Sequence, residues 1–239
     1  NNASGATGYK YNTLNDYTSA IDNGTSLNFT QTGLICNTPN TLYVWSYNDC
    51  GKSDLTTLTH STSTCFTCGV SNVNFQYNGT GAPSVTYGTV VSQNNTCWLD
   101  RNLGASAVAT SYDHSAAFGD YFQWGRGDDG HQISSSATLS AQSSTPNPGH
   151  NNFLIGNSVW YTGSDPELLW LGVNAVNNPC PSGWRVPTEA EYANELQSWS
   201  SQNYFGAFNS PLKLPASGSR SYTSGTLTNQ ANTGRYYNS

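Results

Sequence analysis

The chain has 239 residues, of which only 9% are charged, against about 25% in an ordinary soluble domain. Eight Lys and Arg against fourteen Asp and Glu leave a net charge of −6. That balance excludes recognition of phosphates by clustered basic side chains, and with it a nucleic-acid partner. No apolar run approaches the roughly 20 residues of a membrane helix. The 7 Trp, 15 Tyr and 8 Phe exclude the disorder class and supply the volume of a core.

In chain order, Ser26–Thr30 alternates polar and apolar residues and predicts a half-buried strand. Thr41–Tyr47, rich in β-branched and aromatic residues, predicts a second strand. Asn48-Asp49-Cys50-Gly51 supplies the turn, and Leu55–Thr62 returns as a Thr-rich strand. This hairpin resembles the last two strands of an immunoglobulin- or fibronectin-like sandwich, whose full form takes about 100 residues and seven strands. Residues 1–68 therefore read as an incomplete β module. From Gly69 the texture changes. Val73–Tyr77 and Ser84–Val91 predict short strands about the turn signal Asn78–Pro83. Cys97–Leu103 reads as a buried segment edged by an Asp100–Arg101 ion pair. Residues 130–152, poor in apolar side chains, read as a long surface loop of the kind that carries function or contacts. Thr188-Glu189-Ala190-Glu191 is a capping box opening a helix, with Tyr192, Leu196 and Trp199 as its core-facing stripe.

Six cysteines in a chain poor in charge and rich in Ser, Thr and Asn point to an oxidising, extracellular setting. Cys36–Cys50, Cys65–Cys68 and Cys97–Cys180 are the expected pairs among fifteen possible connectivities. Cys65-Phe66-Thr67-Cys68 lacks the helix start of a redox motif and the second ligand pair of a zinc site. Sequons at Asn2, Asn23, Asn28, Asn78 and Asn94 permit glycosylation. No charged segment precedes an apolar stretch, so no signal peptide is expected within this segment.

Four motifs in order carry a resemblance. They are Cys97-Trp98-Leu99-Asp100-Arg101-Asn102-Leu103-Gly104-Ala105, Gly119-Asp120-Tyr121-Phe122-Gln123-Trp124-Gly125-Arg126, Asp129-Gly130-His131, and Asn178-Pro179-Cys180-Pro181-Ser182-Gly183-Trp184-Arg185-Val186-Pro187-Thr188. Residues 69–239 resemble the Fibrobacter succinogenes major paralogous domain, a bacterial surface-protein family. The resemblance implies a C-type-lectin-like fold, a secreted or cell-surface setting and no enzymatic activity. The expected fold class is thus mostly β with a few short helices (α+β), a partial immunoglobulin-like module followed by a lectin-like domain. Family members usually continue through further strands to an Arg-Cys pair, which puts the Cys97–Cys180 pairing in doubt. Both ends read as cut, so either the chain is a piece of a longer protein or neighbouring subunits supply the missing strands.

Asp113, His114, Asp120, Asp128, Asp129 and His131 cluster in sequence, and the four Asp are candidate ligands for Ca²⁺, which takes six to eight oxygens. Asp128 and Asp129 beside glycine are equally ordinary turn chemistry. Arg126-Gly127-Asp128 spells an integrin tripeptide but lies within the family pattern. Neither a His-Glu-x-x-His zinc motif nor a Gly-x-Ser-x-Gly elbow occurs. Glu189, Glu191 and Glu195 fall on or near the solvated side of the predicted helix, and with Glu167 offer no carboxylate pair that sequence can identify. Trp160, Tyr161, Trp170 and Tyr204 are candidates for a surface that stacks on sugar or protein. The expectation is a non-enzymatic, extracellular bacterial fibre or adhesin subunit that self-associates by β-strand sharing. A carbohydrate-binding adhesion module, calcium-assisted or not, is the alternative.

Overall fold

The computed structural model describes residues 3–77 and 84–239. The turn signal at 78–83 and the sequons at Asn2 and Asn78 fall outside the described residues. About 10% of the chain is helical and 23% strand, a mostly-β chain with few short helices. It divides into two compact units, Asn1–Phe66 and Thr67–Ser239.

The first unit is one antiparallel sheet built on a long strand. The strands are β1 (Gly8–Asn12), β2 (Ile21–Asp22), β3 (Pro39–Asn48), β4 (Gly51–Lys52) and β5 (Thr56–Ser61). β3 pairs with β1 on one side and with β4 and β5 on the other, and β2 adds beyond β1. The hairpin predicted from Thr41–Tyr47 and Leu55–Thr62 is present in register Leu42 to Leu58. Residues 26–30, expected as a strand, have no regular structure. Asn23 Nδ2 instead donates to the carbonyls of Ser26 and Asn28, and local side-chain bonds of this kind compete with a ladder.

The second unit has short hairpins held in a loop-rich body. They are β6 (Val73–Gln76) with β7 (Ser84–Tyr87), and β8 (Thr89–Val91) with β9 (Cys97–Leu99). β10 (Thr138–Ser140) pairs in parallel with β11 (Phe153–Ile155), and β12 (Ser219–Arg220) pairs with β13 (Leu227–Thr228). Helix α1 (Glu189–Ser198) carries the expected box, with Thr188 Oγ1 accepting from Glu191 N and Thr188 N donating to Glu191 Oε2. Helix α2 (Tyr204–Asn209) is capped by Asn203. The core is aromatic: Leu154, Trp160, Tyr161 and Leu169 form one buried cluster. The buried stripe of α1 differs from expectation, because Glu195 is 1% exposed. Its carboxylate accepts from Trp199 Nε1 at 3.3 Å and Asn94 Nδ2 at 3.5 Å.

The disulfides differ from all three expected pairs. Cys36 bonds Cys65 and Cys68 bonds Cys97, while Cys50 and Cys180 are free thiols. The reason is register rather than sequence distance. Cys36 precedes β3 and Cys65 follows β5, so antiparallel pairing brings their Cα atoms to 5.0 Å, within disulfide reach. Cys50 sits in the turn at the opposite end of that hairpin. Cys65 and Cys68 thus staple different units. Burial pushes the Cys180 thiol up to about 12.

Non-reducing peptide mapping should recover only the 36–65 and 68–97 links. Alkylation should reach Cys50 in the native chain and Cys180 only after unfolding. Cys68→Ser should lower the stability of the second unit by roughly 3–4 kcal/mol, the loop-closure value for a link of this span, as read by denaturant unfolding.

Candidate functional site

In the second unit three of the four acidic candidates, Asp120, Asp128 and Asp129, are buried or half-buried. Arg126 is fully buried. Its Nε donates to Asp129 Oδ2 at 2.8 Å, Nη1 to Gln123 Oε1 at 3.0 Å and to the Asn152 carbonyl at 2.9 Å, and Nη2 to the His150 carbonyl at 2.7 Å. A guanidinium is stable without water only when its donors are met and its charge is paired. His131, also fully buried, completes the arrangement. Its Nε2 accepts the Gln123 backbone N–H at 2.9 Å, so the ring proton lies on Nδ1, which faces Asp129 Oδ1 at 2.7 Å. Burial depresses His131 to about 4. Burial alone would raise Asp129, but the His131 bond and the Arg126 charge bring it below its ordinary value. The Arg-Gly-Asp tripeptide is therefore inside the unit, with its arginine engaged.

Asp120 is different. Burial and the neighbouring Asp128 carboxylate push it up to about 6. Gly104, at a φ of 77°, lets this carboxylate sit directly over the backbone, where a Cβ would collide with it. Asp113 is exposed. Among the described residues no three His, Cys, Asp or Glu side chains are grouped to hold a metal ion.

Three of the four aromatic candidates are core. Trp160 is 5% exposed, Tyr161 9% and Trp170 2%. Trp160 and Trp170 spend their indole N–H groups on the carbonyls of Trp124 and Arg126. Only Tyr204 lies toward the surface, in a trio with Tyr112 and Phe205 whose ring centroids are 4.4–5.3 Å apart. Of the described sequons, Asn28 and Asn94 are exposed and Asn23 is half-buried, and the Asn23 and Asn94 amides are bonded to carbonyls.

The feature not foreseen is the difference between the two faces of the first unit's sheet. Register places Thr41, Tyr43, Trp45 and Tyr47 on one face with Lys10, Asp22 and Lys52. Tyr17 packs edge-on against Trp45, the ammoniums of Lys10 and Lys52 lie over its ring, and Tyr47 Oη donates to Asp22. Trp45 is the only large hydrophobic side chain buried in this unit among the described residues. The other face carries Tyr9, Tyr11, Ile21, Leu42, Val44 and Leu58 beside the uncharged polar Asn40, Ser46 and Thr56 and the imidazole of His60, and among the described residues no strand position on it is Lys, Arg, Asp or Glu. Phe29 packs on it, against Tyr11. Ile21 is 58% and Leu58 54% exposed, and every residue of β5 is exposed. β3 was legible from the β-branched and aromatic residues of Thr41–Tyr47, whereas no strand was expected at β1.

Comparison with known protein families, curated proteins and solved structures gives no match.

The buried groups make stability depend on pH in two opposed ways. His131 titrates at 6.5 when unfolded and about 4 when folded, so its contribution is lost as pH falls through that window. Asp120, at 3.8 unfolded and about 6 folded, withdraws stability as pH rises from about 4 to 6. Asp120→Asn should therefore stabilise the second unit at pH 7.5 by on the order of 2 kcal/mol, with the gain shrinking toward pH 4 in thermal melts.

Proposed function

We propose that this chain is a non-enzymatic, extracellular subunit of a bacterial surface fibre or adhesin, assembled by sharing β-strands and stabilised by disulfides. The observation that carries the reading is the single-layer sheet of the first unit, with a charge-free apolar face and an exposed edge strand. An apolar face of this kind is a place for another chain, and an open edge offers a row of backbone donors and acceptors to it. We read that unit as part of an immunoglobulin-like sandwich. The second unit we read as a C-type-lectin-like domain of the Fibrobacter succinogenes major paralogous type, on the four sequence motifs. Two disulfides are compatible with an oxidising exterior. No helix among the described residues is long and apolar enough to cross a membrane.

The Tyr112–Tyr204–Phe205 trio supports a second reading, a sugar-binding adhesion module, since exposed rings stack on the apolar faces of pyranoses. The two are compatible in one molecule.

Light scattering across a concentration series, with negative-stain microscopy of the same samples, tests the assembly reading. Concentration-dependent oligomers or regular filaments are expected, and a monomer at every concentration ends it. For the second reading, Phe205→Ala should abolish any signal on a glycan array. An array blank with and without calcium removes it.

A further inference from the structure

The strand-sharing partner can be derived from the hydrogen-bond phase of the sheet. Asn23 N donates to Tyr9 O, so Tyr9 and, two residues on, Tyr11 turn their backbone groups toward β2. Gly8, Lys10 and Asn12 then face β3, where they meet Tyr47, Trp45 and Tyr43. The even residues of β3 are left for the other side. Thr62 N donating to Thr38 O at 3.0 Å fixes the same phase there, so Leu42 pairs through the backbone with Leu58, and Val44 with Thr56. Antiparallel strands alternate in this way along their length. Consequently the N–H and C=O groups of Thr57, Thr59 and Ser61 point outward from the sheet, and none of them has a backbone partner beyond β3 among the described residues.

We propose that β5 pairs with β5 of a second copy across a two-fold axis, with Leu58 opposite the partner's Leu58. This rests on the self-association reading above and names its edge and register. Only registers that keep the charge-free faces on one side join residues of matching parity. Among these, the one centred on Leu58 sets apolar against apolar. It also puts Thr57 opposite the partner's Thr59 and Thr56 opposite the partner's His60. Thr57 and Thr59 are the outward-facing residues, so each exchanges both backbone bonds with its counterpart. Leu58 falls at the non-bonded position between them, where side chains approach most closely.

Charge favours this edge over the other. Two copies of net charge −6 repel, and β5 contains no Lys, Arg, Asp or Glu. In this register Asp54, the nearest carboxylate in sequence, falls opposite the partner's Thr62. The opposite edge is the two-residue β2, which ends on Asp22, a carboxylate already bonded to Gly24 N and Tyr47 Oη. Short, charged edges resist pairing, whereas a long neutral one does not. Six residues of strand, about 20 Å, bury less than the roughly 1,200 Å² of a stable interface. The contact is therefore reversible in dilute solution and is strengthened wherever copies are held close together.

Cysteine trapping of the full chain tests the register. Leu58→Cys, made with Cys50→Ser to remove the exposed thiol, should form a covalent dimer under mild oxidation and revert on reduction. Ile21→Cys in the same background, at the other edge, should stay monomeric. Peptide mapping of the 36–65 link reports that the unit is folded. Thr57→Pro removes only an outward N–H, a position edge strands tolerate, and should weaken self-association at least tenfold. The pair Thr57→Lys with Thr59→Lys sets like charges opposite each other and should do the same. If the unmodified chain self-associates but Leu58→Cys gives no dimer and Thr57→Pro no weakening, this edge is wrong and the assembly reading stands. If the unmodified chain is monomeric throughout and Leu58→Cys still gives no dimer, both fail.

Discussion

The guanidinium of Arg126 is enclosed on every side in a unit whose strands are at most four residues long. Hairpins this short bury little surface by themselves, so the loops between them must be fixed by something else. Arg126 supplies that constraint. It joins its own turn, through Gln123 and Asp129, to the carbonyls of His150 and Asn152. Gln123 in turn bonds both backbone groups of Leu154, which carries the tie into β11 and the aromatic cluster. Arg220 repeats the device, donating to the carbonyls of His131, Ile133, Ser136 and Gly225 while lying over Phe153. Buried networks of this kind stabilise a single arrangement when all members are satisfied.

The first unit is held differently. It has one sheet, one large buried hydrophobic side chain, Trp45, and a disulfide at the open end of its central hairpin. A chain segment of this length buries too little to be robust alone and needs a staple. The Cys36–Cys65 link fills that role. What it leaves is a face on which Ile21 and Leu58 stay exposed, and the surface behaviour of the unit follows from that shortage.

The scarcity of charge has a different consequence in each unit. In the second, part of the small charge complement is inside: Arg126, Asp128 and Glu195 are all nearly inaccessible. In the first, the strand charges Lys10, Asp22 and Lys52 gather about Tyr17 and Tyr47 on one face. Both arrangements leave stretches of exterior surface without charged side chains.

Much of the local structure was legible in the residues. β3 followed from the β-branched and aromatic residues of Thr41–Tyr47, the start of α1 from its capping box, and the Asp100–Arg101 pair from adjacency, because each depends on neighbours within a few positions. The loop expected over 130–152 shows where such reasoning stops. It contains strand β10 and starts with the buried His131 and Gln132, whose partners include the backbone N–H groups of Gln123 and Tyr121 and the Arg220 guanidinium. Trp160, Tyr161 and Trp170 likewise could have been surface or core, and only packing decided. The sequence by itself determined a mostly-β chain of low charge whose texture changes near residue 68. Tertiary structure alone decided which cysteines meet, which carboxylates are consumed by arginine, and which face and edge of the first sheet stay open. Those outcomes depend on strand register and on contacts between residues far apart in the chain, which no local pattern records.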